Sequence, residues 1–492
     1  MTFERNEPFD AETFRALGYR AVDIATNHLA RMPASKVYQQ VPSELRSLLM
    51  DRRLPDAGTP VSALLDDFEQ NIKPYPMGNG HQRFFGWVNS PPDPAGILAE
   101  LLAASLDPSC AGGDHAAIYL ERGVVRWLMD LVQFPTEGSM GILTSGGSMA
   151  SLTAIATARH AASVKDGWND REQGLQDGHK PLVMYLSGEG HTTMIKAAEL
   201  LGIGSSYVRK IPVDSAFRMD VGALGDAVEA DRAAGLRPFL VAASAGTVGT
   251  GAIDPLDEIA DFCRDAQLWF HIDGAYGAVG VLDQRLASKF SGMSRADSLA
   301  LDPHKWLSVP VECGCAMIRD ASLLRDTFSL VPPYVRTEEG KGFGGLPWFS
   351  EYGFQQTRGF RALKVWMTLA AAGADGLRAT ISRHNDLARY LADLVRKDPN
   401  FELLADPTLS IVCFRYVPAE AVAANAMNQR IMEHVQASGT TFVTQTMIDG
   451  TFWLRACILH FATTESDLDA LIRNISSAAN MIEADSSLPP QD

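Results

Sequence analysis

Long apolar runs, paired cysteines and the N-terminal pattern of a signal peptide are not found in this sequence of 492 residues. No apolar run reaches the roughly 18 residues that a membrane-spanning helix needs. The first ten residues, MTFERNEPFD, lack the basic and apolar regions of a signal peptide. The six cysteines have no paired spacing, which is typical of reduced thiols and argues against a metal site. We therefore expect a cytoplasmic protein with no membrane partner and no bound metal.

Positive charge is also scarce. Lys and Arg number 43, whereas Asp and Glu number 59, which gives a net charge of −16. Because this excess of acid repels the phosphates of nucleic acids and of anionic membranes, we expect no nucleic-acid partner. The first strand is not followed by the pattern Gly-x-Gly-x-x-Gly, which a nicotinamide-binding oxidoreductase needs at that position.

Short apolar strands alternate with helical segments between about residue 90 and residue 370. The strand candidates are 181–187, 237–244, 267–273, 298–302 and 313–320. This alternation predicts an α/β fold with a mostly parallel sheet that is covered on both faces. Since such sheets bind ligands at the carboxyl ends of their strands, the residues that follow strands are the best site candidates.

The two ends of the chain have different patterns. We predict an N-terminal helical segment over 1–88, which has few strands and is expected to pack on a partner subunit. A large α/β domain over 89–372 would carry the ligand. Residues 364–398 predict long helices, and the strands and helix that follow predict a small α+β domain over 373–492.

One strand end has the composition of an anion site. A strand runs into Ser-Gly-Gly-Ser at 145–148 and then into an Ala-rich helix. Glycine lets the backbone approach a ligand closely, and the free N–H groups of a helix N-terminus attract phosphate. Ser145, Gly147 and Ser148 would then hold the anion, although a plain glycine-rich turn has the same pattern.

Two further strand ends place a histidine and an aspartate. His191 can cap the following helix, or it can stack on a flat ring. Asp273 follows an apolar strand, where it can cap a turn or face a protonated partner. The small residues Gly274 and Ala275 beside it leave room for a flat group.

The stretch LDPHKWL, 301–307, places a lysine at the next strand end. A lysine that is removed from water becomes a nucleophile towards carbonyl groups. The alternative is an ordinary surface lysine, which the neighbours His304 and Trp306 disfavour. We predict that Lys305 does chemistry.

Together these groups meet the needs of one cofactor, pyridoxal 5'-phosphate (PLP). PLP requires a phosphate cup, a carboxylate at its pyridine nitrogen, a stacking side chain and a lysine that forms a Schiff base. The chain supplies them in order at 145–148, His191, Asp273 and Lys305. We therefore predict a PLP enzyme.

The motifs around these residues resemble those of the group II PLP-dependent amino-acid decarboxylases, the family of aromatic-L-amino-acid decarboxylase. The resemblance spans nearly the whole chain and includes HQRFFGW, TSGGSMAS, GHTTMIKA, SAGTVGTGAIDPLDEIA, FHIDGAYG, LDPHKWL and TRGFRALKVW. It implies a fold-type I homodimer with active sites at the subunit interface. It also implies decarboxylation of an L-amino acid to an amine and CO₂, through Schiff-base and quinonoid intermediates.

The resemblance assigns roles to individual residues. It implies that Lys305 binds the cofactor covalently, that Asp273 pairs with the ring nitrogen and that His191 stacks on the ring. The predicted cofactor contacts are completed by Ser145, Gly147, Ser148, Ala275 and His304.

The substrate side is assigned in the same way. Tyr334 lies in the segment 329–345, which is similar to the family's mobile loop, and it matches the tyrosine that protonates the substrate carbon. Because Tyr334 and His191 are both retained, simple decarboxylation is favoured over oxidative release of an aldehyde. The predicted substrate contacts are Phe84, Phe85, Trp87 and Arg358.

Several positions depart from the family. Asp302 stands where asparagine is common, and Val248 stands where animal enzymes have threonine. Asp107 and Ser109 give the substrate pocket a small, polar edge, which admits a diamine precursor or a smaller or polar amino acid, and Asp107 can bind a cationic side chain. Glutamate, aspartate and 2,4-diaminobutyrate are therefore kept as alternatives to the favoured aromatic substrate. Other readings are an aldehyde-forming enzyme, a transaminase or desulfurase of the same fold type, and an inactive dimeric scaffold.

Overall fold

The computed structural model describes residues 10–176, 178–331, 341–418 and 424–486. The chain divides into two compact units. The first unit comprises Met1–Trp87, Tyr390–Leu404 and Cys413–Asp492, and the second comprises Val88–Arg389 and Ala405–Val412. Three separate domains therefore stay a prediction. Within the described residues, every helix is too short or too polar to cross a membrane.

Helices occupy much of the described chain. In chain order they are α1 Ala11–Arg31, α2 Ser43–Met50, α3 Val61–Asp67, α4 Pro94–Leu106, α5 Ala116–Leu131, α6 Gly147–Lys165, α7 Asp170–Gln173, α8 Thr193–Leu200, α9 Val221–Ala233, α10 Leu256–Ala266, α11 Ala321–Phe328, α12 Arg361–Lys397, α13 Ala424–Ser438 and α14 Glu465–Ser486. The helices α1, α2 and α3 lie within the segment 1–88 that was predicted to be helical, and α12 covers nearly all of the predicted helical stretch 364–398. Gly373 interrupts α12 with a φ of 64°, a left-handed conformation that glycine adopts at little cost.

The second unit is built on a sheet of seven strands in the order β1-β7-β6-β5-β4-β2-β3. The strands are β1 Met140–Thr144, β2 Leu182–Ser187, β3 Val208–Ile211, β4 Arg237–Ser244, β5 Trp269–Asp273, β6 Ser298–Leu301 and β7 Gly314–Ile318. Most pairs are parallel, whereas β7 runs antiparallel to both β1 and β6. The predicted α/β fold with a mostly parallel sheet is confirmed.

Burial explains why these strands are mostly apolar. Every residue of β1, β2, β6 and β7 is buried. The helix α10 shows the complementary pattern, since Leu256, Ile259, Ala260 and Cys263 are buried at helical spacing. A sheet covered by such amphipathic helices needs apolar residues on both faces.

The first unit has its own sheet of four strands in the order β10-β11-β9-β8. These strands are β8 Phe401–Leu403, β9 Ile411–Tyr416, β10 Thr444–Ile448 and β11 Thr451–Cys457. The early segment of the chain is bonded to its late segment in this unit. The backbone N–H of Phe85 donates to Phe442 O at 2.7 Å, and the N–H of Cys457 donates to Phe85 O at 3.0 Å. Packing of residues 1–88 on a partner subunit stays a prediction.

Candidate active site

The four predicted strand ends share one edge of the seven-stranded sheet. β7 runs antiparallel to both β1 and β6, so β1 and β6 point in the same direction. β2, β4, β5 and β6 are joined by parallel pairings. The carboxyl ends of β1, β2, β5 and β6 therefore lie at the same edge, where a doubly wound sheet binds its ligands.

An open helix N-terminus follows β1 at this edge. The helix α6 begins at Gly147 and has no side-chain hydrogen bond at its cap. A Cβ atom added to Gly147 would lie 2.8 Å from Asp302 Oδ2 and 3.1 Å from Ala275 Cβ, and one added to Gly146 would lie 3.5 Å from His304 Cε1. Only glycine keeps this space open. We call the start of α6 at residues 145–148 the cradle.

Lys305 lies beside the cradle. Its Nζ atom is 2.9 Å from Asp302 Oδ2, and its side chain is 23% exposed. The next residue, Trp306, is buried, stacks on Tyr276 with ring centroids 5.0 Å apart, and donates its indole N–H to His384 Nδ1 at 2.9 Å. This buried tryptophan fixes the turn, and the preceding lysine is left partly accessible at the sheet edge.

Asp273 and His191 both make the local capping bonds that their positions allow. Asp273 Oδ1 accepts from the N–H of Ala275 at 3.1 Å, and His191 Nδ1 accepts from the N–H of Thr193 at 3.1 Å. Each bond engages one atom of the side chain. Capping and cofactor binding are therefore compatible at both positions, and the contacts with a cofactor stay predictions.

The predicted substrate residues are divided between several places. In the first unit, the Phe84 ring stacks on Phe442 with centroids 4.8 Å apart, Phe85 is fully buried, and Trp87 is 50% exposed. Arg358 belongs to the second unit and is buried. Tyr334 lies outside the described residues. Substrate contact by each of these residues stays a prediction.

A match between the sequence and a family model identifies the family. The model of the pyridoxal-dependent decarboxylase conserved domain matches residues 42–417. The chain belongs to the pyridoxal-dependent decarboxylases. Its cofactor is PLP, and its reaction is the decarboxylation of an amino acid.

Relatives of this decarboxylase differ in substrate. It is 31% identical to the aromatic-L-amino-acid decarboxylase of Bacillus atrophaeus over 482 residues, which cover 97% of this chain and 98% of that protein. It is 33% identical to an acidic amino acid decarboxylase of Xenopus tropicalis over 77% of this chain and 73% of that protein. The crystal structure of Oryza sativa TDC with PLP and tryptamine superimposes with a TM-score of 0.88 at 25% identity, covering 97% of this chain and 99% of that one.

The residues at the sheet edge fit PLP. The cradle offers backbone N–H groups in a space that a single Cβ atom would fill, as a phosphate site requires. A lysine amine and an aspartate carboxylate stand at neighbouring strand ends, and these are the two groups that hold a pyridoxal ring by its aldehyde and its nitrogen.

A buried ion pair that sequence reasoning missed supports the strand before the cradle. Glu121 on α5 and Arg358 are paired, and their side chains are 0% and 1% exposed. Among the residues that the structure describes, β1 is the edge strand on that side of the sheet, so Leu143 has no neighbouring strand there. Glu121 Oε1 accepts from Leu143 N–H at 3.1 Å, and Arg358 Nη2 donates to Leu143 O at 2.6 Å. The side chains of Glu121 and Arg358 thus make the two hydrogen bonds with Leu143 that a neighbouring strand would make, two residues before Ser145.

We expect His271 on β5 to make the stability of this decarboxylase depend on pH. It is fully buried, its Nδ1 atom lies 2.9 Å from Ser298 Oγ, and burial lowers its pKa to about 4. Unfolded histidine titrates near 6.5, so neutral His271 stabilises the fold above that pH, and this contribution is lost as the pH falls towards 4. We expect His271→Phe to remove an acid-dependent loss of about 3 kcal/mol in the free energy of unfolding.

Denaturant unfolding of wild type and His271→Phe at several pH values between those limits measures the difference. The exposed His434 provides the control, because His434→Gln should leave the pH dependence of the wild type unchanged. Parallel curves for wild type and His271→Phe would contradict the assignment.

Proposed function

We propose that this decarboxylase acts on aromatic L-amino acids and releases the amine and CO₂, as a cytoplasmic homodimer with active sites at the subunit interface. The proposal rests on the presence of the cradle, Asp273 and Lys305 at one edge of the sheet. It is supported by the similarity of this chain to an aromatic-L-amino-acid decarboxylase over nearly its full length.

The roles of the cofactor-binding residues follow from their chemistry. Lys305 Nζ would hold the cofactor covalently until the substrate amine displaces it. The Asp273 carboxylate would keep a proton on the ring nitrogen, and His191 would stack on the ring face. The cradle and His304 would hold the phosphate. When bound, PLP supplies the electron sink for the pair of electrons left on the substrate carbon as CO₂ departs.

The chain also has to return a proton to that carbon. We assign this step to Tyr334, because a phenolic O–H group can donate a proton. Lys305 would then bond to the cofactor again, and the amine would be released. A site that lacked the tyrosine proton would leave the substrate carbon open to oxidation, which produces an aldehyde.

One face of α4 supports the proposed dimer. Leu98, Leu101, Leu102 and Leu106 recur at helical spacing and are each at least half exposed. Contiguous apolar faces of this kind are uncommon on the free surface of a monomer. We propose that this face packs against the same face of a second copy of the chain.

A second candidate is an acidic or cationic amino acid. The relative in Xenopus tropicalis acts, by name, on acidic amino acids. In this chain Asp107 ends α4 in a left-handed conformation and its side chain is exposed. A carboxylate at the pocket edge would favour a cationic side chain such as that of 2,4-diaminobutyrate and would repel glutamate and aspartate.

Product analysis by mass spectrometry tests these proposals. The purified protein with PLP is incubated with each L-amino acid, with L-DOPA and 2,4-diaminobutyrate in the panel. We expect amines from tryptophan, tyrosine, phenylalanine or L-DOPA. An amine only from an acidic amino acid or from 2,4-diaminobutyrate would replace the aromatic proposal, and an aldehyde with hydrogen peroxide would overturn the role of Tyr334.

A further inference from the structure

Asp302 is a buried carboxylate that stands between the reactive amine and the cradle. Its side chain is 3% exposed, and Oδ2 pairs with Lys305 Nζ at 2.9 Å. Its other oxygen, Oδ1, is buried and has no hydrogen-bond partner among the described residues. A buried carboxylate oxygen without a donor is costly, so a partner for Oδ1 is expected in the working protein.

The carboxylate faces the start of α6. A Cβ atom added to Gly147 would lie 2.8 Å from Asp302 Oδ2, and one added to Gly146 would lie 3.9 Å from Oδ1. A phosphate held at this helix N-terminus would therefore lie against the carboxylate. Two anionic groups that lie against each other repel, and the repulsion is stronger where one of them is buried, as Asp302 is.

Few neighbouring groups can offset this repulsion. Lys305 is the closest cation, and His304 Nε2 is 3.9 Å from Asp302 Oδ2. The thiols of Cys313 and Cys315, on the β7 side, stay protonated because burial raises the pKa of Cys313 to about 12 and that of Cys315 well above its usual value. Once Lys305 is bonded to the cofactor, Asp302 loses its ammonium partner at the moment when the phosphate arrives.

We propose that Asp302 accepts a proton from the Lys305 ammonium during cofactor loading and then donates it in a hydrogen bond to the phosphate. One proton moves from Nζ to the carboxylate. The neutral amine then attacks the aldehyde carbon, its two remaining protons leave in water with the aldehyde oxygen, and a carbon–nitrogen double bond forms. The protonated Asp302 then has an O–H group that donates to the phosphate. The carboxyl group and the phosphate thus share one proton between two acidic groups. This inference rests on the proposed placement of the cofactor.

The experiment is a proton count during binding. Apo protein is titrated by calorimetry in buffers of different ionisation enthalpy, with PLP and with pyridoxal, which lacks the phosphate. Asp302→Asn keeps the shape of the side chain and removes its charge. We expect Asp302→Asn to release about one more proton per PLP bound than wild type does, and to release the same number as wild type with pyridoxal.

The affinities provide a second readout. Relative to Asp302→Asn, wild type should lose PLP affinity by up to about tenfold per pH unit as the pH rises, because the loaded wild type retains the extra proton. An equal proton count for wild type and Asp302→Asn with PLP would overturn the inference. A difference that persists with pyridoxal would overturn it as well, since the proton would then be independent of the phosphate.

Two further variants test the placement separately. Gly147→Ala fills the cradle and Ser148→Ala removes a predicted contact, so both should weaken PLP more than pyridoxal. If they do, while wild type and Asp302→Asn release equal numbers of protons, the placement stands and the role of Asp302 is overturned. If neither variant weakens PLP, the proposed placement fails, and the role of Asp302 fails with it.

Discussion

Replacing Lys305 with alanine is expected to slow amine formation by at least about 1,000-fold, because the substituted chain has no amine at the position that bonds to the cofactor. Reduction with borohydride, followed by peptide mass mapping, is the direct measurement. In wild type the reduced cofactor should be found on the peptide that contains Lys305, and in Lys305→Ala it should be absent from that position.

Lys289 provides the matched control, since it is an exposed lysine of the same unit. Lys289→Ala should keep the wild-type rate and the wild-type cofactor attachment. Turnover of Lys305→Ala at the wild-type rate, with PLP present, would show that another group of the chain holds the cofactor. The family assignment would survive that result, whereas the proposed site would not.

Replacing Glu121 with alanine is expected to cost about 3–5 kcal/mol in the free energy of unfolding, because it leaves the buried Arg358 guanidinium without a counter-charge. The backbone N–H of Leu143 would also lose its acceptor, which is 3.1 Å away in the wild type. Since Leu143 precedes the cradle on β1, PLP affinity should fall in the same variant. Denaturant unfolding and PLP titration measure the two effects.

Two comparisons make this result specific. Glu121→Gln keeps an acceptor for Leu143 and removes the charge, so its effect should be smaller than that of alanine. Asp375 pairs with Arg378 at 2.7 Å on the surface, where the side chains are 100% and 46% exposed, and Asp375→Ala should leave the unfolding transition unchanged. Equal stability of Glu121→Ala and wild type would contradict the structural role of the pair.

The secondary structure was predictable wherever a sequence pattern is compatible with only one kind of element. The predicted strands 181–187 and 237–244 match β2 and β4 within one residue, because a continuous apolar run between turn residues has few alternatives. The direction of β7 was not predictable in this way. A buried strand has the same pattern whether it runs parallel or antiparallel, so only the structure shows that β7 is reversed.

The same contrast holds for the site. Lys305, Asp273 and the cradle were predicted to share an edge because each follows a strand, and the structure places them there. Glu121 was missed, although a signal existed. It occupies the buried stripe of α5 between Ile118 and Val125, where a charged residue requires a buried partner. The partner Arg358 could not be named, because no local pattern links residues that far apart.

The first unit is assembled from both ends of the chain, and this order has a consequence during synthesis. Trp87 N–H bonds to Thr444 Oγ1 across 357 residues of sequence. At ribosomal rates of about 5–20 residues per second, the early segment waits roughly 20–70 s for the strands that complete it. Throughout that interval the side chains of Phe84 and Phe85, which are buried in the finished unit, have no sheet to cover them. The apolar side chains of the first segment therefore lack their final packing partners until the last segment has been synthesised.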